Sequence, residues 1–162
     1  TRVAAAVVAR KGGRGELRRR VREGFGIELP EGPSRVAAGG VAFIGTGPGA
    51  WLVIADDEPA AVARALRDAL AGVASVCDQS DGYAVFPING PKARERLQKL
   101  VFIDLHDRVF KLGQAASTAA GHIGAILWRL DDAPDGTPAF EIAVYRSFAQ
   151  SFEHALCAIM KE

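Results

Sequence analysis

The chain has 162 residues, 49% of them apolar and 24% charged, and a net charge of +1. That length suits one ordinary domain or two small fused lobes, and the composition excludes a disordered chain. The longest apolar runs, such as residues 123–128, are far shorter than the ~20 residues of a helical membrane span, so no membrane association is expected. No secretory or transit signature opens the chain, which begins at Thr1 rather than Met, so leading residues are expected to precede it. Cys77 and Cys157 are expected to be buried, reduced thiols, and the chain to be cytoplasmic.

In chain order, residues 3–9 are short, apolar and Val-rich, as a buried strand requires. Residues 15–25 read as a helix with Leu17, Val21 and Phe25 inward and arginines outward. A Gly-, Pro- and Ala-rich loop is expected over 26–40. Residues 41–44 and 51–54 read as paired strands around a turn at 45–49. Pro59 opens a helix whose stripe is Val62, Leu66 and Leu70, flanked by Ala65 and Ala69, and 73–77 is a strand. The order strand, helix, strand, strand, helix, strand is that of a ferredoxin-like βαββαβ lobe with an antiparallel sheet.

The second half echoes this order less cleanly. Residues 83–88 form a strand that Pro87 assigns to an edge. Gly90-Pro91 opens a helix burying Ala93, Leu97 and Leu100. Strands follow over 114–120, 123–130 and 139–146, with a polar turn at 131–138. A final helix starts at Ser147, where Ser147 and Gln150 form a capping-box pattern, and it buries Phe148, Phe152, Ala155, Leu156 and Ile159. The fold expected is α+β, two ferredoxin-like lobes over 1–79 and 80–162 that pack as one compact unit.

Few patterns advertise chemistry. Residues 45–50 match G-x-G-x-x-A, but a strand follows where the dinucleotide fingerprint needs a helix, so a hairpin turn is expected. There is no P-loop and no G-x-S-x-G elbow. His106, His122 and His154 lie outside metal-ligand spacing of one another and of either cysteine, so no metal site is expected. Residues 131–136 resemble a calcium loop, but Ala133 and Ile142 occupy ligand positions. The Arg-rich helix is either a solvated face or a surface docking on an acidic protein partner. Nucleic-acid binding is not expected, because no aromatics interleave its arginines.

Several segments carry a resemblance. Asp78-Gln79-Ser80-Asp81-Gly82, Ile88-Asn89-Gly90-Pro91-Lys92-Ala93 with Leu97, and Asp104-Leu105-His106 follow the order and spacing of the sarcosine oxidase gamma subunit family. So do Phe110, Gly113, Thr118, Leu127-Trp128-Arg129, Arg146-Ser147-Phe148-Ala149 and, upstream, Gly47-Pro48-Gly49-Ala50-Trp51-Leu52. That family is similar in turn to the folate-binding domain of the glycine-cleavage aminomethyltransferase. An acidic pair of the aminomethyltransferase falls on Ile123 and Gly124 here, neither of which holds a proton.

The resemblance implies a non-catalytic gamma subunit of a heterotetramer that oxidatively demethylates sarcosine to glycine. The other products would be hydrogen peroxide and either formaldehyde or methylenetetrahydrofolate. Its partners would be the alpha, beta and delta subunits. FAD, FMN, NAD and tetrahydrofolate would belong to the large subunits and a zinc site to the smallest, with no cofactor on this chain. Arg14, Arg18 and Arg22 are candidates for a partner interface. Trp51, Phe110, Trp128 and Phe148 are read as either patch or core. His106 and Arg146 either reach a partner or make internal hydrogen bonds. If the chain were instead a stand-alone folate- or pterin-binding module, Asp78 is the carboxylate to pair with the pterin amino group.

Overall fold

The Val-rich opening segment forms β1 (Val3–Ala9), and the amphipathic Arg-rich stretch forms α1 (Arg14–Phe25). α1 buries Leu17 and Val21 one turn apart, and ends where the Gly26 N–H donates to the Arg22 carbonyl at 3.0 Å. β2 (Arg35–Ala38), β3 (Val41–Gly47) and β4 (Ala50–Ala55) follow, then α2 (Pro59–Ala69) with proline in its first turn, and β5 (Ala74–Asp78). A computed structural model describes residues 2–161, in two units divided after Gly82.

In the first unit the sheet order is β2-β3-β4-β1-β5, with every neighbouring pair antiparallel. β1, β3, β4 and β5 reproduce the expected βαββαβ arrangement. Alternation along β4 and β1 sends Trp51, Val53, Ala55, Ala5 and Val7 into one core with Leu17, Val21, Leu66 and Leu70 from the helices. Each fully buried Leu or Val contributes about 1.5–3 kcal/mol. The 45–49 segment is a hairpin connection, as expected, and Gly47 already pairs with Ala50. Gly45 is where the chain must lack a side chain, because a Cβ there would lie 2.1 Å from the Gly32 carbonyl oxygen.

The second unit contains β6 (Tyr83–Asn89), α3 (Ala93–Gln98), β7 (Ala115–Ala120), β8 (Ile123–Arg129), β9 (Ala139–Tyr145) and α4 (Ala149–Met160). Its antiparallel sheet has the order β6-β9-β8-β7, with Pro87 on the edge strand β6 as expected. Ile88, Leu127, Phe140, Ile142 and Val144 pack with Leu97 and Phe152 in a second core. Between α3 and β7 the chain has no regular element but is well tied. Gln98 donates to the Ile103 carbonyl at 2.6 Å and accepts from the Leu105 N–H at 2.8 Å, while Leu105 and Phe110 are buried anchors.

The α+β reading with two antiparallel sheets stands, and several details differ. The second unit is not βαββαβ, because β8 and β9 are joined by a turn too short for a crossover helix. They pair directly, and the second helix follows the last strand. β2 lies within the segment expected to be loop; its Ala-rich sequence has weak strand preference, and pairing with β3 holds it in place. On α2 the buried stripe is Ala63, Leu66 and Leu70, while Ala65 is exposed. The Ser147–Gln150 cap does not form, since a 3-10 turn over Arg146–Phe148 places Phe148 at the helix start. Both cysteines are unpaired but exposed rather than buried: Cys77 lies on an edge strand and Cys157 on the outer side of α4. The division falls after Gly82 rather than Gln79, because the Gln79 N–H donates to the Ala4 carbonyl and the Gly82 N–H to that of Gln79.

Candidate partner interface

The arginines of α1 face solvent, as their spacing dictates, but most are spent within the chain. Arg22 grips Glu28 with two bonds, at 2.7 and 2.9 Å, and Arg18 meets Glu31 and, at 3.4 Å, Glu28. The Arg22 bonds, assisted by Arg18, hold the Glu28 carboxyl below its ordinary range. Arg19 bridges Glu16 and Glu23, and Arg20 bonds Glu16 at 2.9 Å. Arg20 also caps α2, donating to the carbonyls of Ala69 at 3.2 Å and Ala71 at 3.0 Å. Bonds from Arg19 and then Arg20 lower the Glu16 pKa to about 2.

Arg14 differs, having no ion-pair or hydrogen-bond partner among the described residues. Its guanidinium lies over Gly49, where a Cβ would come within 2.9 Å of it. It lines a cleft of about 350 Å³ with Arg18, Pro30, Glu31 and Trp51. Trp51 itself is a core residue whose indole N–H donates to the Pro30 carbonyl at 2.8 Å.

In the second unit the remaining candidates separate. Phe110 is buried and stacks near Phe140 at 6.5 Å, so Trp51 and Phe110 both belong to cores. Sequence periodicity could not decide this, because core and patch aromatics share the same spacing. His106 organises its own loop: its N–H donates to Asp104 at 2.8 Å, and its Nδ1 accepts the Arg108 N–H at 3.2 Å. Arg146 donates to the Tyr83 carbonyl at 3.2 Å. Phe148 is 48% exposed and remains available. Exposed apolar residues that the sequence did not single out are Phe102, at 78% exposure, Val109, Leu112 and Tyr145. For Val109 and Leu112 the available signal was their place beside charged loop residues, where no helical or strand period assigns them inward, whereas Phe102 lies in an apolar run and Tyr145 ends β9, and neither carried such a signal.

Asp78 ends β5 with one carboxylate oxygen accepting from both the Ser80 N–H (2.9 Å) and the Ser80 hydroxyl (2.7 Å). These bonds lower its pKa. Ile123 and Gly124 open β8, and Gly124 borders a shallow trough with Tyr83, Ser117, Ala143 and Tyr145. Among the described residues no group of three or more His, Cys, Asp or Glu side chains is arranged to hold a metal ion. No helix is long and apolar enough to cross a membrane.

Residues 15–160, spanning both units, match the model of the sarcosine oxidase, gamma subunit family. The chain belongs to that family. It is 31% identical over 144 residues to sarcosine oxidase subunit gamma of Corynebacterium sp. (strain U-96), a match taking in 85% of this chain and 65% of the relative's length. It also resembles a chain of the heterotetrameric sarcosine oxidase from Corynebacterium sp. U-96, solved in complex with pyrrole 2-carboxylate. There the TM-score is 0.82 at 25% identity, over 98% of this chain and 80% of that one. The glycine cleavage system aminomethyltransferase T from Bartonella henselae shares the fold, with a TM-score of 0.66 at 15% identity over 95% of this chain and 42% of that one.

The segments that carry the gamma-family resemblance have structural jobs in this chain. Asp78 and Ser80 make the turn that leaves β5, and Gly90 accepts the Ala93 N–H at the entry to α3. Trp128 and Arg129 are buried on opposite faces of β8. The Trp128 indole donates to Glu141 at 2.9 Å, while Arg129 lies 4.8 Å over the Phe140 ring, bonds the Ala139 carbonyl at 3.1 Å and pairs with Asp132.

Proposed function

We propose that this chain is the gamma subunit of a flavin-dependent heterotetrameric sarcosine oxidase, and that it serves the complex by packing rather than by chemistry. The observation that carries this reading is the likeness of 98% of the chain to a chain of a heterotetrameric sarcosine oxidase. The complex converts sarcosine to glycine, with hydrogen peroxide and formaldehyde or methylenetetrahydrofolate as the other products. FAD, FMN, NAD and tetrahydrofolate reside in its alpha and beta subunits, and delta is the third partner. Two features of this chain support a packing role. The Asp78 carboxylate is turned back onto Ser80, and Ile123 and Gly124, the counterparts of the aminomethyltransferase acidic pair, carry no ionisable group. Phe102, Val109, Leu112 and Phe148 offer exposed apolar surface of the kind that obligate interfaces bury.

The test is to tag the chain in its native cells, recover it under gentle conditions, and record the visible spectrum of the eluate. A yellow eluate with two larger polypeptides and one smaller one, active on sarcosine, is the expected result. A colourless eluate holding this chain alone would refute the reading.

A further inference from the structure

A sheet edge presents backbone hydrogen-bonding groups that some other element must satisfy, and proteins usually blunt such edges. In the second unit both edges are blunted. β6 carries Pro87, which has no N–H to offer, and β7 is met at Ala120 by an isolated bridge from Val101. In the first unit β5 is an edge with neither device.

The register fixes which of its groups face outward. Ala4 pairs with Gln79 through the 2.9 Å bond from the Gln79 N–H, and Arg10 donates to the Val73 carbonyl, also at 2.9 Å. Hydrogen-bonded pairs alternate along an antiparallel ladder, so Ser75 and Cys77 turn their backbone groups toward β1. The N–H groups of Val76 and Asp78 and the carbonyls of Ala74 and Val76 therefore point away from the sheet. The Ala74 N–H is already used, donating to the Leu70 carbonyl at 3.1 Å.

The surroundings of this edge have a definite charge. A trough of about 360 Å³ runs beside it, lined by Arg10, Arg67, Ser75 and Val76. Among the described residues neither guanidinium has an ion-pair or hydrogen-bond partner, unlike Arg19 and Arg22 of α1. Arg67 and Arg64 are close enough to pull on the Asp78 carboxyl, after the bonds from Ser80. The other open edge, β2, borders a trough in which Arg2 is neutralised by Asp56 at 2.8 Å.

We propose that β5 accepts an extended acidic segment of a larger subunit as an added strand, its backbone pairing with Val76 and Asp78 and its carboxylates meeting Arg10 and Arg67. This inference rests on the subunit reading above. Backbone pairing supplies affinity and the two guanidiniums supply register and choice of partner. Charged side chains also guard sheet edges against self-pairing. The two roles diverge in the assembled complex.

The experiment is residue-resolved amide hydrogen exchange on the wild-type chain, alone and in the complex recovered with its flavin-bearing partners. The Val76 and Asp78 amides should slow by about a hundredfold or more on assembly, while those of Ser75 and Cys77 are protected in both states. In parallel, the R10E/R67E double variant should lower recovery of the larger subunits by about tenfold at low salt, and R35E, on the β2 edge, should not. Unchanged exchange at Val76 and Asp78 in a complex that does form overturns the strand-addition proposal and leaves the subunit reading intact. So does a double variant that self-associates yet recovers its partners in full, which would make the arginines guards. A wild-type chain that recovers no flavin-bearing subunit overturns the subunit reading, and this proposal with it.

Discussion

Trp51 shows how one side chain serves both core and cleft. Its ring is 6% exposed, packed in the first core, and its N–H is committed to the Pro30 carbonyl. A tryptophan was needed because the 30–33 loop passes close over β3, and a buried carbonyl there requires a donor. Trp51→Phe keeps most of the apolar contact and removes the donor, so it should lower unfolding free energy by about 1–3 kcal/mol. Urea denaturation measures this, and a change near zero would mean that water replaces the indole N–H. The sequence marked Trp51 as notable but left its burial open, since a hydrogen bond spanning twenty-one positions leaves no local pattern.

At the scale of elements, α1 was read correctly as amphipathic, yet its charge was harder to interpret. Eight cations against three acids over the first thirty residues suggested a basic surface, but Glu16, Glu23 and Glu28 are each placed to bond arginines. Spacings of three and four along a helix predict some of these pairs, while the Glu28 and Glu31 contacts depend on where the chain turns after the helix. Glu16 is a useful probe because its folded pKa, about 2, lies below its ordinary value of 4.5. A depressed carboxyl pKa adds stability above the unfolded value, and that increment is lost as pH falls through the folded one. Glu16→Gln should therefore melt lower than wild type near neutral pH and converge with it toward about pH 2. Thermal melts across that range test it, and parallel curves for the two proteins would show that the Glu16 cluster carries no pH dependence. The missed strand β2 and the absent Ser147 cap have the same origin, a local preference overridden by pairing or by a preceding turn.

For the molecule as a whole, the informative surface is apolar. Phe102, Val109 and Leu112 are exposed on a segment that Gln98, His106 and buried Leu105 and Phe110 hold in a defined conformation. Rigid presentation of apolar groups lowers the ordering cost of association. A Phe102→Ser/Leu112→Ser double variant should leave unfolding free energy within about 0.5 kcal/mol for each site, as surface changes do. The same variant should reduce concentration-dependent self-association of the isolated chain in light scattering. A loss of several kcal/mol instead would place these side chains in a packed environment.

Sequence by itself determined most element types, β2 excepted, together with the two antiparallel sheets and the family. These rest on periodicity, on Gly and Pro punctuation and on short segments such as Asp78-x-Ser80 and Trp128-Arg129, all of which act within a few residues. Only the tertiary structure decided which aromatics are core, which arginines stay unpaired, and that β5 keeps an unpaired edge. The physical reason is that burial, ion pairing and strand order are set by residues distant in the chain, and a local pattern is compatible with more than one such arrangement.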